Sequence, residues 1–172
     1  MNIYLVGYMG SGKSTIGRQL AGRIGYTHLD LDDFFEETYR ISIMNFFRKY
    51  DEAAFRKIES SMLQKTVGFE NQVISTGGGT PCFHNNMELI NRHGLSVYIR
   101  MHPKSLFTRL KHAKRPRPRT SSLNDDALME RILEDLSSRE EFYEQAHISV
   151  KGESIDMNAL TEIVKERLRS SV

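Results

Sequence analysis

A glycine-rich segment near the beginning of the chain has the spacing of a phosphate-binding loop. Gly7 and Gly12 are separated by four residues, Lys13 and Ser14 follow directly, and a short apolar run precedes them. Glycines let successive backbone N–H groups turn toward one ligand, and the following helix adds the positive end of its dipole. Lys13 can then reach the β- and γ-phosphates of a nucleotide, and the Ser14 hydroxyl can bind Mg²⁺. The predicted nucleotide-contacting residues are Gly10, Ser11, Gly12, Lys13, Ser14 and Thr15.

Two aspartates are candidates for the acidic chemistry beside this loop. In many phosphate-loop proteins the third strand ends in an aspartate, but here that strand runs directly into the glycines at 77–79. Asp30 and Asp32 follow the second predicted strand, and a period of two would place both on one side of an extended segment. One could serve the metal through water while the other faces an acceptor hydroxyl. The alternative is an aspartate-rich helix N-cap, which is the role expected of Asp33.

Short apolar runs alternate with amphipathic stretches along the chain, which predicts strands separated by helices. The predicted strands cover 3–6, 28–31, 73–75, 95–99 and 148–150. The predicted helices cover 13–24, 34–40, 42–50, 51–67, 85–92, 103–111, 126–145 and 157–168. Residues 112–124 have no apolar period and are predicted to form an exposed loop. This order indicates an α/β fold with a parallel sheet covered by helices on both faces and ligands at the carboxyl ends of its strands.

The composition is that of one domain spanning residues 1–172. The chain has 172 residues, 39% of them hydrophobic, which is enough for a substantial core. Its net charge of +2 is mixed along the sequence, so neither a nucleic acid nor a membrane is expected as a partner. A single cysteine, Cys82, excludes an internal disulfide, and no leader or long apolar run is present. We therefore expect a cytoplasmic protein with small-molecule partners.

Taken together, several motifs resemble the shikimate kinase family. They are the GxxGSGKST loop, the Leu-Asp-Leu-Asp run at 29–32, FRKIE at 55–59, STGGG at 75–79, and Arg139 with Tyr143. Their order spans nearly the whole chain. The resemblance implies transfer of a phosphate from ATP to the 3-hydroxyl of shikimate with Mg²⁺, in aromatic amino-acid biosynthesis. It also implies a P-loop kinase fold with a five-stranded parallel sheet and a mobile lid, at about 112–124, in a monomer.

The resemblance also assigns residues to an acceptor site. Shikimate is a small carboxylate that bears hydroxyls, so its site needs arginine forks and an acid near the reacting hydroxyl. Arg56 and Arg139 match the arginines that bind the carboxylate, and Asp32 matches the acid that can take the proton. Glu59, three residues after Arg56, could hold its guanidinium. The remaining predicted substrate-binding residues are the pocket walls Phe47 and Phe55, Gly78 with its backbone N–H, and Gly77 and Gly79, which permit the turn.

Two features depart from the family pattern. The family usually has Arg-Pro followed by two apolar residues in its lid, whereas residues 114–120 read KRPRPRT, with two Arg-Pro pairs and no apolar pair. Spacing to Arg139 favours Arg117 as the catalytic lid arginine on the ATP phosphates, and spacing from the preceding helix leaves Arg115 open. The family's proline between Arg139 and Tyr143 is also absent, and Glu141 stands there.

Other functions share parts of these patterns. A gluconate-type kinase or another small-acceptor kinase has the same first loop, although a nucleotide acceptor would need a pocket that reads the base. A GTPase is disfavoured because the chain has no Asn-Lys-x-Asp motif. An RNA-binding or regulatory module is suggested by the basic run at 111–120. One basic run without stacking aromatic residues favours that module only weakly.

Overall fold

The computed structural model describes residues 1–113, 120 and 122–170, and these form a five-stranded, entirely parallel sheet flanked by helices. The strands are β1 (Asn2–Val6), β2 (Thr27–Asp30), β3 (Gln72–Ser75), β4 (Gly94–Arg100) and β5 (Ile148–Lys151). The helices are α1 (Lys13–Ile24), α2 (Leu31–Tyr39), α3 (Ile43–Lys49), α4 (Glu52–Thr66), α5 (Asn86–His93), α6 (Pro103–Lys111), α7 (Asp125–Tyr143) and α8 (Met157–Ser170). The predicted α/β fold with a five-stranded parallel sheet is confirmed.

Strand β1 lies at the centre of the sheet, whose order is β2-β3-β1-β4-β5. Ile3 of β1 pairs with Val73 of β3 on one side and with Leu95 of β4 on the other. The chain leaves β1 toward β3 and β2 and later returns to the opposite side of β1 with β4 and β5. In open parallel sheets, ligands bind at the carboxyl ends of the strands where the order reverses. The loop after β1 therefore lies at the expected place for a ligand.

Both faces of the sheet are buried, and successive residues of β1 point to opposite faces. Ile3 and Leu5 pack with α1 and α8 in one hydrophobic cluster, whereas Tyr4 and Val6 pack with α2, α4 and α5 in another. This alternation follows from the period of two along a strand. A smaller cluster around Tyr8 joins α6 to α7 near the carboxyl end of β1. The sheet therefore supports its ligand-binding edge from both sides.

The predicted boundaries lie within two residues of the observed ones except at the junction of β2 with α2, where the helix begins three residues early. The predicted strand continues to residue 31 and the predicted helix begins at 34, but β2 ends at Asp30 and α2 begins at Leu31. Asp30 caps the helix, because its Oδ1 accepts hydrogen bonds from the backbone N–H groups of Asp32 and Asp33. Among the described residues, no helix combines the length and apolar character needed to cross a membrane.

Candidate active site

The loop between β1 and α1 takes its shape from three glycines. Gly7, Gly10 and Gly12 have φ angles of 138°, 80° and 95°, in the region that side chains disfavour. Gly12 is the N-cap of α1 and has no side-chain cap. The first backbone N–H groups of a helix have no partner within the helix, so those of α1 are available to an anion. This geometry is that of the predicted phosphate loop.

Lys13 is buried at the base of the cavity beside this loop. Its Nζ donates hydrogen bonds to the carbonyls of Gly7 and Tyr8, at 2.7 and 2.8 Å. The cavity, hereafter the phosphate cavity, is also lined by Gly10, Gly12, Ser14, Thr15, Asp30, Asp32 and Thr76. Ser11 lies within the loop, and its Oγ is buried without a hydrogen-bond partner in the described part of the chain. The predicted loop residues and both predicted acids therefore meet at the carboxyl end of the sheet.

Asp30 joins the phosphate loop to α2. Its Oδ2 accepts a short hydrogen bond from the Ser14 hydroxyl, while its Oδ1 caps α2. A hydroxyl and a carboxylate side by side are oxygen donors of the kind that Mg²⁺ prefers. No group of three or more His, Cys, Asp or Glu side chains suited to a metal occurs in the described ranges. Mg²⁺ takes few protein ligands and completes its shell with water and substrate phosphates, so the Ser14 hydroxyl and the Asp30 carboxylate could hold it.

Asp32 reaches the same cavity by a route that differs from the predicted one. The prediction that Asp30 and Asp32 lie on one side of an extended segment is wrong, because α2 begins between them at Leu31. Asp32 lies in the first turn of α2, and a β-carbon on Gly77 would be 3.2 Å from its Oδ1. The helical turn directs Asp32 toward the glycine segment, whereas Asp30 stays beside Ser14.

A second cavity, hereafter the acceptor cavity, adjoins the phosphate cavity. Asp32, Gly77, Gly78 and Met9 line both of them. The other walls of the acceptor cavity are Ile43, Phe47, Phe55, Arg56, Glu59, Gly79 and Arg139. The rings of Phe47 and Phe55 pack against each other with centroids 4.8 Å apart. A ligand in the acceptor cavity would therefore meet two acids, two arginines and an aromatic wall beside the phosphate-binding loop.

Arg56 is buried, with only 6% of its surface exposed, and acidic side chains hold its guanidinium in place. Its Nη1 donates to Glu59 at 2.8 Å, and its Nη2 donates to Glu52 at 3.1 Å. Glu59 also accepts a hydrogen bond of 2.6 Å from the Thr80 hydroxyl. Burial raises the pKa of Glu59 above its usual value, while Arg56 and Thr80 oppose that shift. The predicted contact between Arg56 and Glu59 is confirmed, and the Phe83 ring covers the guanidinium at 4.6 Å.

Gly77 and Gly79 were predicted to permit the turn, but the structure gives the glycines of this segment a different role. None of Gly77, Gly78 and Gly79 has a positive φ, so the turn itself does not require glycine. A β-carbon would instead lie 2.7 Å from Oε1 of Glu59 at Gly77, 2.9 Å from the Met9 nitrogen at Gly78, and 2.5 Å from Nη2 of Arg56 at Gly79. The segment contains glycines because the phosphate loop and the acceptor side chains lie against its backbone.

Arg139 reaches the acceptor cavity from α7. It is 5% exposed, and its Nη2 donates to Asp135 one turn earlier, at 3.0 Å. Its Nη1 is buried and has no hydrogen-bond partner among the described residues. A buried donor without a partner is costly, so a ligand carboxylate at this atom would relieve the cost. Tyr143, one turn later, donates a short hydrogen bond to the Gly78 carbonyl and so joins α7 to the glycine segment.

Comparison with known proteins gives the family. The shikimate kinase family model matches residues 9–169. The chain belongs to the shikimate kinase family. A shikimate kinase from Bacteroides thetaiotaomicron is 40% identical over 169 residues, which cover 98% of this chain and 97% of the relative. A shikimate kinase from Thermodesulfovibrio yellowstonii is 33% identical over 171 residues, which cover 99% and 96%. Membership in this family makes the protein an ATP-dependent kinase.

Solved structures of shikimate kinases share the fold closely. The crystal structure of the enzyme from Bacteroides thetaiotaomicron has a TM-score of 0.90 at 39% identity and covers 98% of each chain. The enzyme from Acinetobacter baumannii, solved in complex with shikimate, has a TM-score of 0.86 at 30% identity, covering 99% of this chain and 93% of that one. A gluconokinase from Sinorhizobium meliloti, at 17% identity and a TM-score of 0.59, shares the fold alone and does not favour the gluconate alternative.

Several residues of this shikimate kinase site were missed by sequence reasoning. Glu52 accepts a hydrogen bond from Arg56, and Thr80 donates one to Glu59. Asp135 and Tyr8 contact Arg139. Arg109 of α6 lines the phosphate cavity, with its Nη1 3.4 Å from the Gly10 carbonyl. Glu52 could have been found from its spacing, because it lies one helical turn before Arg56. Tyr8 occupies a position of the phosphate-loop motif at which the motif specifies no residue type. Thr80, Arg109 and Asp135 belong to no motif and meet the site only through the fold.

Two further predictions complete the comparison with the sequence. The lid arginines Arg115 and Arg117 lie outside the described residues.

Cys82 lies beside Arg56 and Arg139, and burial raises the pKa of its thiol to about 11. A thiol with this pKa is protonated at neutral pH and is a poor nucleophile. This agrees with the interpretation of Cys82 as an unreactive cysteine.

Proposed function

We propose that this protein transfers the γ-phosphate of ATP to the 3-hydroxyl of shikimate, with Mg²⁺, as a step in aromatic amino-acid biosynthesis. The observation that supports this most directly is the continuity of the two cavities, which share Asp32, Gly77 and Gly78. A phosphate donor and a small hydroxylated acid bound in them would meet beside one carboxylate. The structure of a relative that is 30% identical, solved in complex with shikimate, supports the choice of acceptor.

The nucleotide end of the proposed site is the phosphate loop. The backbone of Gly10, Ser11 and Gly12 and the start of α1 at Lys13, Ser14 and Thr15 bind the phosphates. Lys13, already buried against the loop, contacts the β- and γ-phosphates. The Ser14 hydroxyl binds Mg²⁺ directly, and Asp30 binds it directly or through water. When bound, Mg²⁺ neutralises charge on the phosphate oxygens.

The acceptor end binds shikimate through charge and shape. Arg56 and Arg139 bind the carboxylate of shikimate, since both guanidinium groups line the acceptor cavity and are fixed by acidic partners. Glu59 holds Arg56, and the Gly77–Gly79 segment contributes backbone contacts. Phe47 and Phe55 cover the apolar side of the ring. With the carboxylate and the apolar side of shikimate bound in this way, the ring hydroxyls of shikimate face Asp32.

Asp32 is the proposed base at the junction of the cavities. As the 3-hydroxyl oxygen bonds to the γ-phosphorus, its proton passes to the Asp32 carboxylate, and the bond from that phosphorus to the bridging oxygen of ADP breaks. Lys13 and Arg117, or Arg115 in its place, neutralise charge on the transferring group. The reaction needs no covalent phosphoenzyme, because donor and acceptor occupy adjoining cavities.

An acceptor panel tests this function. The purified protein is given Mg·ATP with shikimate, gluconate, a set of nucleoside monophosphates, or no acceptor, and both ADP release and the phosphorylated product are measured. We expect shikimate 3-phosphate to form in amounts equal to ADP, and only background ADP release with the other acceptors. Equal turnover of gluconate, or ADP release that is independent of shikimate, would contradict the proposal.

We further propose that the protein acts as a monomer in the cytoplasm. One chain contributes every described residue that is assigned to the two cavities, so catalysis requires no second copy. ATP is the phosphate donor, and ATP is supplied in the cytoplasm. Multi-angle light scattering, under the buffer conditions used for the activity assay, measures the mass of the protein in solution. A mass near 19.8 kDa is expected for a monomer, and twice that mass would contradict the proposal.

A further inference from the structure

Three buried polar side chains connect the phosphate loop to the acceptor cavity. The Tyr8 hydroxyl donates to Oδ2 of Asp135 at 2.8 Å, and Nη2 of Arg139 donates to Oδ1 of the same carboxylate at 3.0 Å. All three are nearly inaccessible, with exposures of 1% for Tyr8, 5% for Asp135 and 5% for Arg139. Tyr8 belongs to the phosphate loop, whereas Asp135 and Arg139 lie one turn apart on α7. The two carboxylate oxygens thus join elements that are far apart in the sequence.

This arrangement determines how the Arg139 guanidinium is oriented. Asp135 engages Nη2, and the Tyr8 ring lies beside the guanidinium, 5.6 Å from its carbon to the ring centroid. Nη1 remains buried without a hydrogen-bond partner in the described ranges, and Arg139 lines the acceptor cavity. A buried carboxylate is costly unless it is paired and hydrogen-bonded. Asp135 meets this requirement because Tyr8 and Arg139 both donate hydrogen bonds to it, and in return it fixes Arg139.

We propose that Asp135 and Tyr8 are positioning residues that hold Arg139 in the orientation that binds the acceptor carboxylate. The proposal rests on the proposed function and extends it to two residues outside its binding set. The backbone carbonyl of Tyr8 also accepts a hydrogen bond from Lys13. The same residue thus contacts the lysine assigned to the phosphates and, through Asp135, the arginine assigned to the acceptor. Neither Asp135 nor Tyr8 contacts the reacting atoms in this scheme.

A purely structural role for the pair predicts a different outcome from a positioning role. Asp135 and Tyr8 also lie among the residues that pack α7 near the phosphate loop, next to Leu128 and Ile132. Loss of packing alone would lower stability and affect both substrates. Loss of positioning would raise KM for shikimate selectively, because Arg139 lines the acceptor cavity and is absent from the lining of the phosphate cavity.

The test compares Asp135→Ala, Asp135→Asn and Tyr8→Phe in steady-state kinetics with both substrates varied. Asp135→Ala should raise KM for shikimate about tenfold or more, which corresponds to one charge-assisted hydrogen bond, with KM for ATP changed by less than about twofold. Asp135→Asn should recover most of this loss, because its amide oxygen can still accept from Arg139. Tyr8→Phe should raise KM for shikimate by a smaller factor, about threefold. In the double variant, Tyr8→Phe should add nothing to Asp135→Ala.

Matched controls separate positioning from folding. Glu134→Ala removes an exposed acid from the neighbouring position on α7, and Tyr4→Phe removes a buried tyrosine hydroxyl, bonded to Thr66 at 3.1 Å, in the middle of β1. Both should leave KM for shikimate unchanged, and thermal unfolding should show that Tyr4→Phe and Tyr8→Phe cost similar stability. If Asp135→Ala does not fold, Tyr8→Phe decides the question by the same criteria.

Two results would contradict the inference and leave the proposed function unaffected. One is wild-type KM for shikimate in both Tyr8→Phe and Asp135→Ala, or in Tyr8→Phe alone where Asp135→Ala does not fold. The other is an equal rise of both KM values. In contrast, failure of the wild-type protein to phosphorylate shikimate would refute the proposed function itself, and that assay is performed first.

Discussion

Gly79 and Arg56 fit together only because position 79 has no side chain. A β-carbon there would lie 2.5 Å from Nη2 of Arg56 and 2.6 Å from its guanidinium carbon. The backbone of Gly79 thus forms one wall of the arginine's pocket, and Glu59 and Glu52 hold the guanidinium from other sides. The Phe83 ring also covers the guanidinium, with its centroid 4.6 Å from the guanidinium carbon.

The first prediction follows from this contact. Gly79→Ala should displace the Arg56 guanidinium and raise KM for shikimate at least about tenfold, because misplacing a positioning group by about 1 Å can be that costly. KM for ATP should change little. Gly22→Ala is the matched control, since a β-carbon on Gly22 would meet no atom within 4 Å. That control should keep full activity and gain stability, because alanine is favoured in helices by about 1 kcal/mol. Unchanged shikimate kinetics in Gly79→Ala would contradict the steric argument.

The second prediction concerns Arg56 itself. Arg56→Ala should weaken shikimate binding by roughly 2–3 kcal/mol, the value of a charge-assisted hydrogen bond lost at one end of the acceptor cavity. Nucleotide binding should remain nearly intact. Isothermal titration with shikimate and, separately, with ADP measures both, and Arg92→Ala, which removes an exposed arginine paired with Glu88 on its own helix, is the control. Wild-type affinity for shikimate in Arg56→Ala would refute its assignment.

The third prediction separates the two contacts of Asp30. Asn caps helices as well as Asp does, so Asp30→Asn should preserve the start of α2 while removing the charge assigned to Mg²⁺. The Mg²⁺ concentration for half-maximal rate should rise about tenfold, as expected for loss of a charged ligand or of its hydrogen-bonded water. The melting temperature should stay close to that of the wild type. Asp33→Asn is the control and should leave Mg²⁺ dependence unchanged. An unaltered Mg²⁺ requirement in Asp30→Asn would remove Asp30 from the metal site.

The fourth prediction concerns pH. Burial lowers the pKa of His28 below its usual value, and Arg18 acts in the same direction, while Asp30 and Asp33 oppose it. Below pH of about 6.5 the unfolded chain binds a proton at this position that the folded chain does not, so the free energy of unfolding falls as pH falls. His28→Gln should flatten this part of the curve in urea unfolding between pH 7.5 and 5. The exposed His93→Gln should follow the wild-type curve, and a wild-type slope in His28→Gln would be inconsistent with the cause given.

The fifth prediction concerns the lid arginines and rests on the sequence. Proline biases the residue before it toward an extended conformation, so Arg115 and Arg117 are not expected to serve one phosphate together. Arg117→Ala should lower kcat by on the order of 10²-fold, as for other removed charge stabilisers, with milder losses in Arg115→Ala and Arg119→Ala. If Arg115→Ala instead shows the large loss of kcat, the catalytic role belongs to Arg115, in the preceding Arg-Pro pair. Three active variants would exclude a catalytic arginine in this segment.

Local chemistry explains which parts of the fold could be predicted from the sequence. The predicted helix at 13–24 matches α1 because glycines with positive φ, Gly12 and Gly25, delimit it. The predicted contact of Arg56 with Glu59 was found because three residues span one helical turn. The boundary between β2 and α2 was missed because a strand period and an aspartate cap both fit the residues around Asp30, and only the observed hydrogen bonds decide between them.

Contacts between distant segments explain what could not be predicted. The Tyr8 hydroxyl and the Asp135 carboxylate are separated by 127 positions in the chain. They meet because α7 crosses the carboxyl end of the sheet, and no local pattern in either segment indicates that crossing. The neighbours of each strand were likewise unpredictable, because alternating helices and strands are compatible with several sheet orders. The motifs therefore identified the candidate site residues, whereas the residues that support them could be identified only from the folded structure.

Strand β2 passes into helix α2 without a connecting residue, since Asp30 ends the strand and caps the helix. Each helical residue turns the side-chain direction by about 100°, so one residue inserted after Asp30 would rotate Asp32 away from the acceptor cavity. A deletion there would do the same in the opposite sense. The function of the junction therefore depends on its length as well as on its residues, and circular permutation or loop grafting in this protein should avoid it.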